Sequence, residues 1–349
     1  MINEKNIAIT PQMLALIAEL DEFKGAWSGF AKERPEQLGL LKRVSTIASI
    51  GSSNRIEGNK LTDTEIEKLL GAIGTESFRS RDEEEIAGYA DLMDTVFDHF
   101  SVIALTENYI KQLHQILLKY VSKDEKHRGE YKKISNSVAA FDQYGKEIGV
   151  VFQTATPFDT PRLMEELVNW TRKNLEDQFF HPLIVIGIFI VHFLAIHPFQ
   201  DGNGRLSRVL TTMLLLKLGY LFVPYSSLEA VIESSKESYY RALRRTQKDI
   251  WSDIVDYEAW LSFFLVSLQK QKRHLAELIK APKTEDIKLS RFAREVLRLF
   301  AKKSELTALE IGQILAANKN TVAKTIKTLV DGGYLVKHGT TRGAWYTQC

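Results

Sequence analysis

The sequence predicts a mainly α-helical protein with one β-hairpin near its middle and a small helix-and-hairpin domain at its end. Three observations predict it. Apolar residues recur at helical spacing through most of the 349 residues, which is the pattern of helices that each bury one face. Between Ile134 and Thr154 that period breaks into two short β-prone pieces on either side of the DQYG stretch, a hairpin signal. After Glu285 the order becomes helix, short turn, helix, glycines and a terminal hairpin, which is the order of a winged helix-turn-helix domain.

Taken from the N-terminus, the stretch MINEKNIAITPQMLALIAEL lacks the basic start, apolar run and small-residue cleavage site of a signal peptide. Leu40, Val44, Ile47 and Ile50 then form a helical stripe. Thr62 and Glu65 make a T-x-x-E capping box that opens another helix through Leu69 and Leu70. Ile110, Leu113, Ile116 and Leu117 continue the helical pattern. The hairpin follows, and because a lone hairpin cannot build a core it is expected to lie over something else. Pro182 to Ile196 is uncharged, but it is shorter than the roughly 20 residues of a spanning helix and carries His192. It reads as a helix buried at the centre of a domain, with His114 and His192 as core residues.

Composition narrows the classes. With 46 basic against 44 acidic residues the net charge is +2, so the surface as a whole is neither a nucleic-acid nor a membrane footprint. The single cysteine, Cys349, excludes an internal disulfide and a thiol-rich metal site, and fits a reducing, cytoplasmic location. A polar, proline-containing stretch, APKTEDIKLS, reads as a linker. Beyond it, residues 285–349 hold 11 Lys and Arg against 6 Asp and Glu, a surplus of 5, so the positive excess is concentrated there. Lys319, Lys324 and Lys327 are either a DNA-binding face or an ordinary charged surface, because winged helices also bind proteins.

The most informative stretch is AIHPFQDGNGRLSRVL, where the apolar run ends in a polar cluster. A buried helix holds such a turn rigidly, and the start of the next helix offers free backbone N–H groups that attract anions. Gly202 and Gly204 let a phosphate approach the backbone. Arg205 and Arg208, three apart, are suited to bidentate phosphate contacts. Asp201 is a hard oxygen ligand for Mg²⁺, and His197 has the chemistry of a general base. The cluster describes a nucleotide site with a base ready to activate a hydroxyl.

At these residues the sequence resembles the Fic family, whose signature is H-P-F-x-[D/E]-G-N-G-R-x-x-R. His197, Pro198, Phe199, Asp201, Gly202, Asn203, Gly204, Arg205 and Arg208 match every fixed position. The resemblance implies a Fic-type helical core with a β-hairpin flap, and transfer of AMP from ATP to a Ser, Thr or Tyr hydroxyl of a target protein. It casts His197 as the base, Asp201 as the Mg²⁺ ligand, Gly202 to Gly204 as the anion hole, Asn203 as the residue that orders the loop, and Arg205 and Arg208 as the phosphate grip. Ser53-x-x-x-Glu57-Gly58 resembles the inhibitory helix of the family in the version placed before the core. There Glu57 would occupy Arg208 and keep ATP from binding productively, and in some relatives the same glutamate positions a water that removes AMP. Gly58 as a simple helix cap is the competing reading. HRGEYKKISNSVAAF resembles the start of the flap, with Lys132 or Lys133 where the family usually has arginine. Tyr239 and Tyr240 match an element that lines the adenine pocket.

Three segments are therefore expected: 1–105, a helical region with the inhibitory helix; 106–280, the Fic core; and 285–349, the winged helix-turn-helix domain. The expected partners are ATP and a target protein, with no membrane; DNA through residues 285–349 and a second copy of the chain stay open. A DNA-binding regulator with a nucleotide-sensing Fic core is the alternative to the enzyme.

Overall fold

A computed structural model describes every residue except Met1, Arg34, 74–76, 142–146, 281–289, 301–302, 304, 332–333, 340–343 and Cys349. The chain divides into two compact units, Met1–Ala276 and Glu277–Cys349. The divide falls inside a helix, and nearly all of the expected linker lies outside the described residues.

The first unit opens with helices α1 (Pro11–Glu33) and α2 (Pro35–Ile56), followed by α3 (Asp63–Ala72), α4 (Arg81–His99) and α5 (Glu107–Leu117). Their starts are written locally. The Thr62 side chain accepts from the Glu65 N–H while the Glu65 carboxylate accepts from the Thr62 N–H, so the expected capping box forms in full. Ser80 and Thr106 cap α4 and α5 in the same way from the side-chain oxygen. The hairpin follows as strands β1 (Ser137–Phe141) and β2 (Glu147–Gln153), antiparallel with two irregularities in register. Its DQYG turn lies outside the described residues.

Helices α6 (Thr160–Asp177), α7 (Pro182–Ile196) and α8 (Asn203–Lys217) form the centre. Every residue of α7 from Leu183 to Ile196 is buried, as its uniform apolarity requires. Among the described residues no helix is long and apolar enough to cross a membrane. Short helices α9 (Leu228–Ser234) and α10 (Lys236–Gln247) and the long α11 (Glu258–Lys280) complete the sequence of helices.

One expectation about the core needs correction. The helix under Leu40, Val44, Ile47 and Ile50 exists, but Leu40 and Val44 are more than half exposed. The buried positions of α2 include Ser45, Ser49, Ser52 and Ser53 alongside Ile50. The helix turns a face of small hydroxyls inward because α4, α8 and α9 approach it closely. An apolar stripe therefore marked the helix without marking its inner face.

In the second unit, α12 (Arg291–Phe300), β3 (Glu305–Thr307), α13 (Ala308–Ile314), α14 (Lys319–Asp331), β4 (Leu335–His338) and β5 (Trp345–Gln348) surround their own core. Val296, Leu306, Ile311, Val322 and Leu329 are at its centre. Thr307 and Glu310 close a second capping box at α13, and Asn318 accepts from the Thr321 N–H at the start of α14. The three-stranded sheet runs in the order β3-β5-β4. Strand β3 was not foreseen, because three residues are too few to show an alternating pattern.

Candidate active site

The site forms where α7 stops and α8 starts. His197 ends α7 in the left-handed region, with φ 53° and ψ 61°. Glycine usually fills that position, and a side chain there costs on the order of 1–3 kcal/mol. Gln178 and Ala316 share this left-handed backbone, so the conformation alone does not single out His197. Its N–H still donates to the Phe193 carbonyl, so the helix end is satisfied.

Asn203 pins the loop beyond it. Asn203 accepts from the Phe199 N–H at 2.9 Å through Oδ1 and donates to the Phe199 carbonyl at 2.7 Å through Nδ2, both buried. Gly202 takes φ 79° as the residue that caps α8, and a β-carbon there would press on Leu117. Glycine is needed at this turn.

His114, expected to be inert core, also holds the loop. Its Nδ1 accepts from the Gly129 N–H, so Nε2 carries the proton and donates 3.0 Å to the Asp201 carbonyl. Its ring stacks on Phe199 with centroids 3.8 Å apart. Burial pushes its pKa down to about 4.

Burial also pushes His197 down to about 4, with the Lys132 charge adding to the effect. The ring is therefore neutral near pH 7. Its Nδ1 lies 3.2 Å from the Leu194 carbonyl, which can only accept, so Nδ1 holds the proton and Nε2 is the basic nitrogen. Lys132 supports the same turn: its ammonium donates to the Ile196 carbonyl at 2.9 Å, to Asn136 at 2.8 Å and to Thr154 at 3.1 Å, tying the base of the hairpin to the end of α7. Burial lowers it to about 8. Lys133 is exposed, so Lys132 is the residue at the site.

Arg205 and Arg208 diverge, although they leave the same face of α8. Arg205 is 2% exposed, with Nη2 3.0 Å from Asp201 Oδ2 and Nη1 3.0 Å from Glu85 Oε2. Arg81 reaches the same Asp201 oxygen from α4, also at 3.0 Å. Burial alone would raise the Asp201 carboxyl; Arg205, the Gly202 N–H and Arg81 outweigh it and hold the group below the usual aspartate range. Sequence reasoning missed Glu85 and Arg81, whose only signal was a charged helix start.

Arg208 is 4% exposed and turns toward α2. Its Nε donates to Ser53 Oγ, and its Nη2 donates to the Ser53 carbonyl and to Glu57 Oε1, each at 2.8 Å. The Glu57 carboxylate lies against Gly204, where a β-carbon would run into it. An anion thus sits over the N-terminal turn of α8, where partial positive charge favours one. Gly58 follows in the left-handed region at φ 101°. Its N–H donates 3.1 Å to the Arg55 carbonyl, closing the end of the helix beside Glu57.

Glu57, His197, Asp201, Gly202, Asn203, Gly204, Arg205, Tyr239 and Tyr240 line one pocket. The two tyrosines meet edge to face with centroids 5.1 Å apart. The pocket has a volume of about 110 Å³, whereas small-ligand sites run to roughly 300–1,000 Å³. Glu57 forms part of its wall.

Residues 104–215 match the Fic/DOC family. A probable protein adenylyltransferase of Aquifex aeolicus (strain VF5) is 32% identical over 111 residues, covering 32% of this chain and 34% of that protein. Protein adenylyltransferase Fic of Drosophila mojavensis is 27% identical over 228 residues, covering 63% of this chain and 42% of that protein. The chain thus spans about two-fifths or less of the length of these relatives. A Fic family protein from Desulfovibrio desulfuricans G20, solved by crystallography, superposes with a TM-score of 0.67 at 23% identity over 99% of this chain and 98% of that one. A signaling protein with a Fic domain from Bacteroides thetaiotaomicron gives 0.61 at 23%, over 76% of this chain and 98% of that one. The protein is mainly helical, its residues 104–215 match the Fic/DOC family, and it shares the fold of these two solved structures.

Proposed function

We propose that this chain is a protein adenylyltransferase, moving AMP from ATP to a Ser, Thr or Tyr hydroxyl of a target protein and of itself, and that Glu57 restrains it. The observation that carries the reading is the capture of Arg208 by Ser53 and Glu57 over Gly204. That geometry places a carboxylate where the signature and the helix start call for phosphate.

With Glu57 withdrawn, the N–H groups from Gly202 to Gly204 face the phosphates, Arg208 takes the γ-phosphate, and Tyr239 and Tyr240 flank the base. The target segment adds to the hairpin edge as a strand. His197 Nε2 accepts the hydroxyl proton as the oxygen bonds to the α-phosphorus, and the bond to the departing pyrophosphate breaks. Arg205 is ion-paired to Asp201 and Glu85, which orients Asp201 beside the phosphates that Arg205 is expected to grip. Asp201 suits Mg²⁺: it is ionised, 38% exposed beside the anion site, and Mg²⁺ is commonly held by one or two carboxylates plus phosphates and water. Bound there, Mg²⁺ would neutralise phosphate charge. Glu57 could also orient a water for AMP removal.

Labelled ATP with Mg²⁺ tests this reading by counting AMP bound covalently to the chain. Glu57→Gly is expected to raise labelling at least tenfold, since removing an ion pair worth about 1.4 kcal/mol or more shifts the open population by that factor. Equal labelling of variant and wild type would reduce Glu57 to a neighbour of a helix cap.

A second reading rests on the C-terminal unit. We infer that α13, α14 and the β3-β5-β4 sheet are a winged helix-turn-helix, with 318–329 as recognition helix and 337–345 as wing. Lys319, Lys324 and Lys327 are exposed on α14, which supports DNA contact. Part of that wing, 340–343, lies outside the described residues. If DNA binding is its main task, the chain is a regulator whose Fic core senses nucleotide. The domain assignment we favour keeps 1–105, 106–280 and 285–349, the first and nearly all of the second within one compact unit; a cytoplasmic location and a homodimer fit this reading.

A further inference from the structure

We infer that Arg55 is the latch that keeps Glu57 seated, and that the Arg55–Glu233 pair sets how much of the protein is restrained. The inference rests on reading Glu57 as the inhibitor.

Arg55 leaves α2 two residues before Glu57 and two after Ser53, so it points away from Arg208. All five guanidinium donors have partners. Nε and Nη2 grip Glu233 on α9 at 2.7 and 3.1 Å, a bidentate pair across 178 residues. Nη1 donates to Asp63 at 2.8 Å and to the Leu61 carbonyl at 3.2 Å, and Nη2 reaches Ser52 at 3.3 Å. The packing leaves room for this arrangement: a β-carbon on Gly51 would strike both Asp63 and the Arg55 guanidinium. Lys236, at the start of α10, donates 2.7 Å to the Ile56 carbonyl, one of the carbonyls that a helix end leaves without an internal partner.

The last turn of α2 is therefore held from two sides. Toward Arg208 it offers Ser53 and Glu57, the groups that nucleotide must displace. Toward α9 and α10 it is tied by Arg55 and Ile56, which nucleotide does not touch. The Arg55 and Glu233 side chains are 25% and 30% exposed, so the pair lies at an edge that a target or a second protein can reach. Seating Glu57 costs little if the turn that carries it is already fixed, and costs more if that turn must first be ordered. Arg55 acts through Glu57, as a positioning residue.

The test measures self-labelling with labelled ATP and Mg²⁺ in Arg55→Met and Glu233→Gln, each alone and combined with Glu57→Gly, together with amide hydrogen exchange over residues 50–58. Each latch variant alone is expected to raise labelling roughly 5- to 30-fold, the range that breaking one partly buried pair gives, and to speed exchange over 50–58. In the Glu57→Gly background neither is expected to add anything. If Glu57→Gly raises labelling while neither latch variant does, the latch is wrong and the inhibitory reading stands. A further gain in the Glu57→Gly background, or loss of labelling in both backgrounds, also overturns the latch, since Arg55 would then act on the core directly. If Glu57→Gly itself changes nothing, the inhibitory reading fails and the latch with it.

Discussion

The loop from His197 to Gly204 and helix α14 are the two stretches whose polar residues stood out, and they are built on opposite terms. In the loop and the start of α8, Asp201, Arg205 and Arg208 all have named charged partners, and both arginines are nearly fully buried. On α14, Lys319, Lys324 and Lys327 are exposed. A buried charge has its direction decided by the fold, because an unpaired one there is too costly to keep. An exposed charge takes its meaning from whatever binds it. The first region can be read as chemistry from the protein alone, while the second needs its partner.

The largest expected effect tests the loop. In the Glu57→Gly background, His197→Ala is expected to lower AMP transfer by about 10²- to 10⁴-fold, the usual contribution of a general base. Nucleotide affinity should change little, because Arg208 and the Gly202 to Gly204 backbone hold the phosphates. Equilibrium binding beside single-turnover rates separates the two, and a parallel loss of affinity would move His197 from base to binding residue.

Acid should act on the first unit next. His197 and His114 are pushed down to about 4 and His192 to about 3 by burial, from an ordinary 6.5. Between 6.5 and 4 the unfolded chain therefore binds more protons than the folded one, so stability is full above 6.5 and is lost as pH falls through that window. Thermal midpoints should be flat from pH 8 to about 7 and drop steadily from about 6.5 to 4.5. A flat profile over the whole range would mean that these rings bind protons equally in the folded and unfolded chain and so keep their ordinary titration in the fold.

The smallest effect concerns α14. If it reads DNA, the full chain should bind duplex DNA with an affinity that falls steeply with salt. Lys319→Ala with Lys324→Ala should then flatten the log–log salt slope by about two units, one per lost phosphate contact. Affinity that is weak for every sequence, with no change of slope, would make the unit a protein-recruiting element and leave the enzyme reading alone.

What the sequence alone determined is what short-range rules encode. The capping boxes at Thr62 and Thr307 and the buried stretch of α7 follow from residues within a few positions of one another. The site motif was legible for the same reason, since its residues lie within one turn and the start of one helix. The tertiary structure alone decided which charges meet. Asp201 and Arg205 are an i,i+4 pair, but no local rule brings Arg205 to Glu85 on α4, or Arg208 to Ser53 and Glu57 about 150 positions away. The same holds for His114, which reads as core and holds the Asp201 carbonyl from 87 residues upstream. It holds for α2, whose apolar stripe named the helix while its serines faced inward. Helical period and end caps are set by the backbone over three or four residues. The partner of a long polar side chain is set by which helices pack together, and that depends on every other element in the unit.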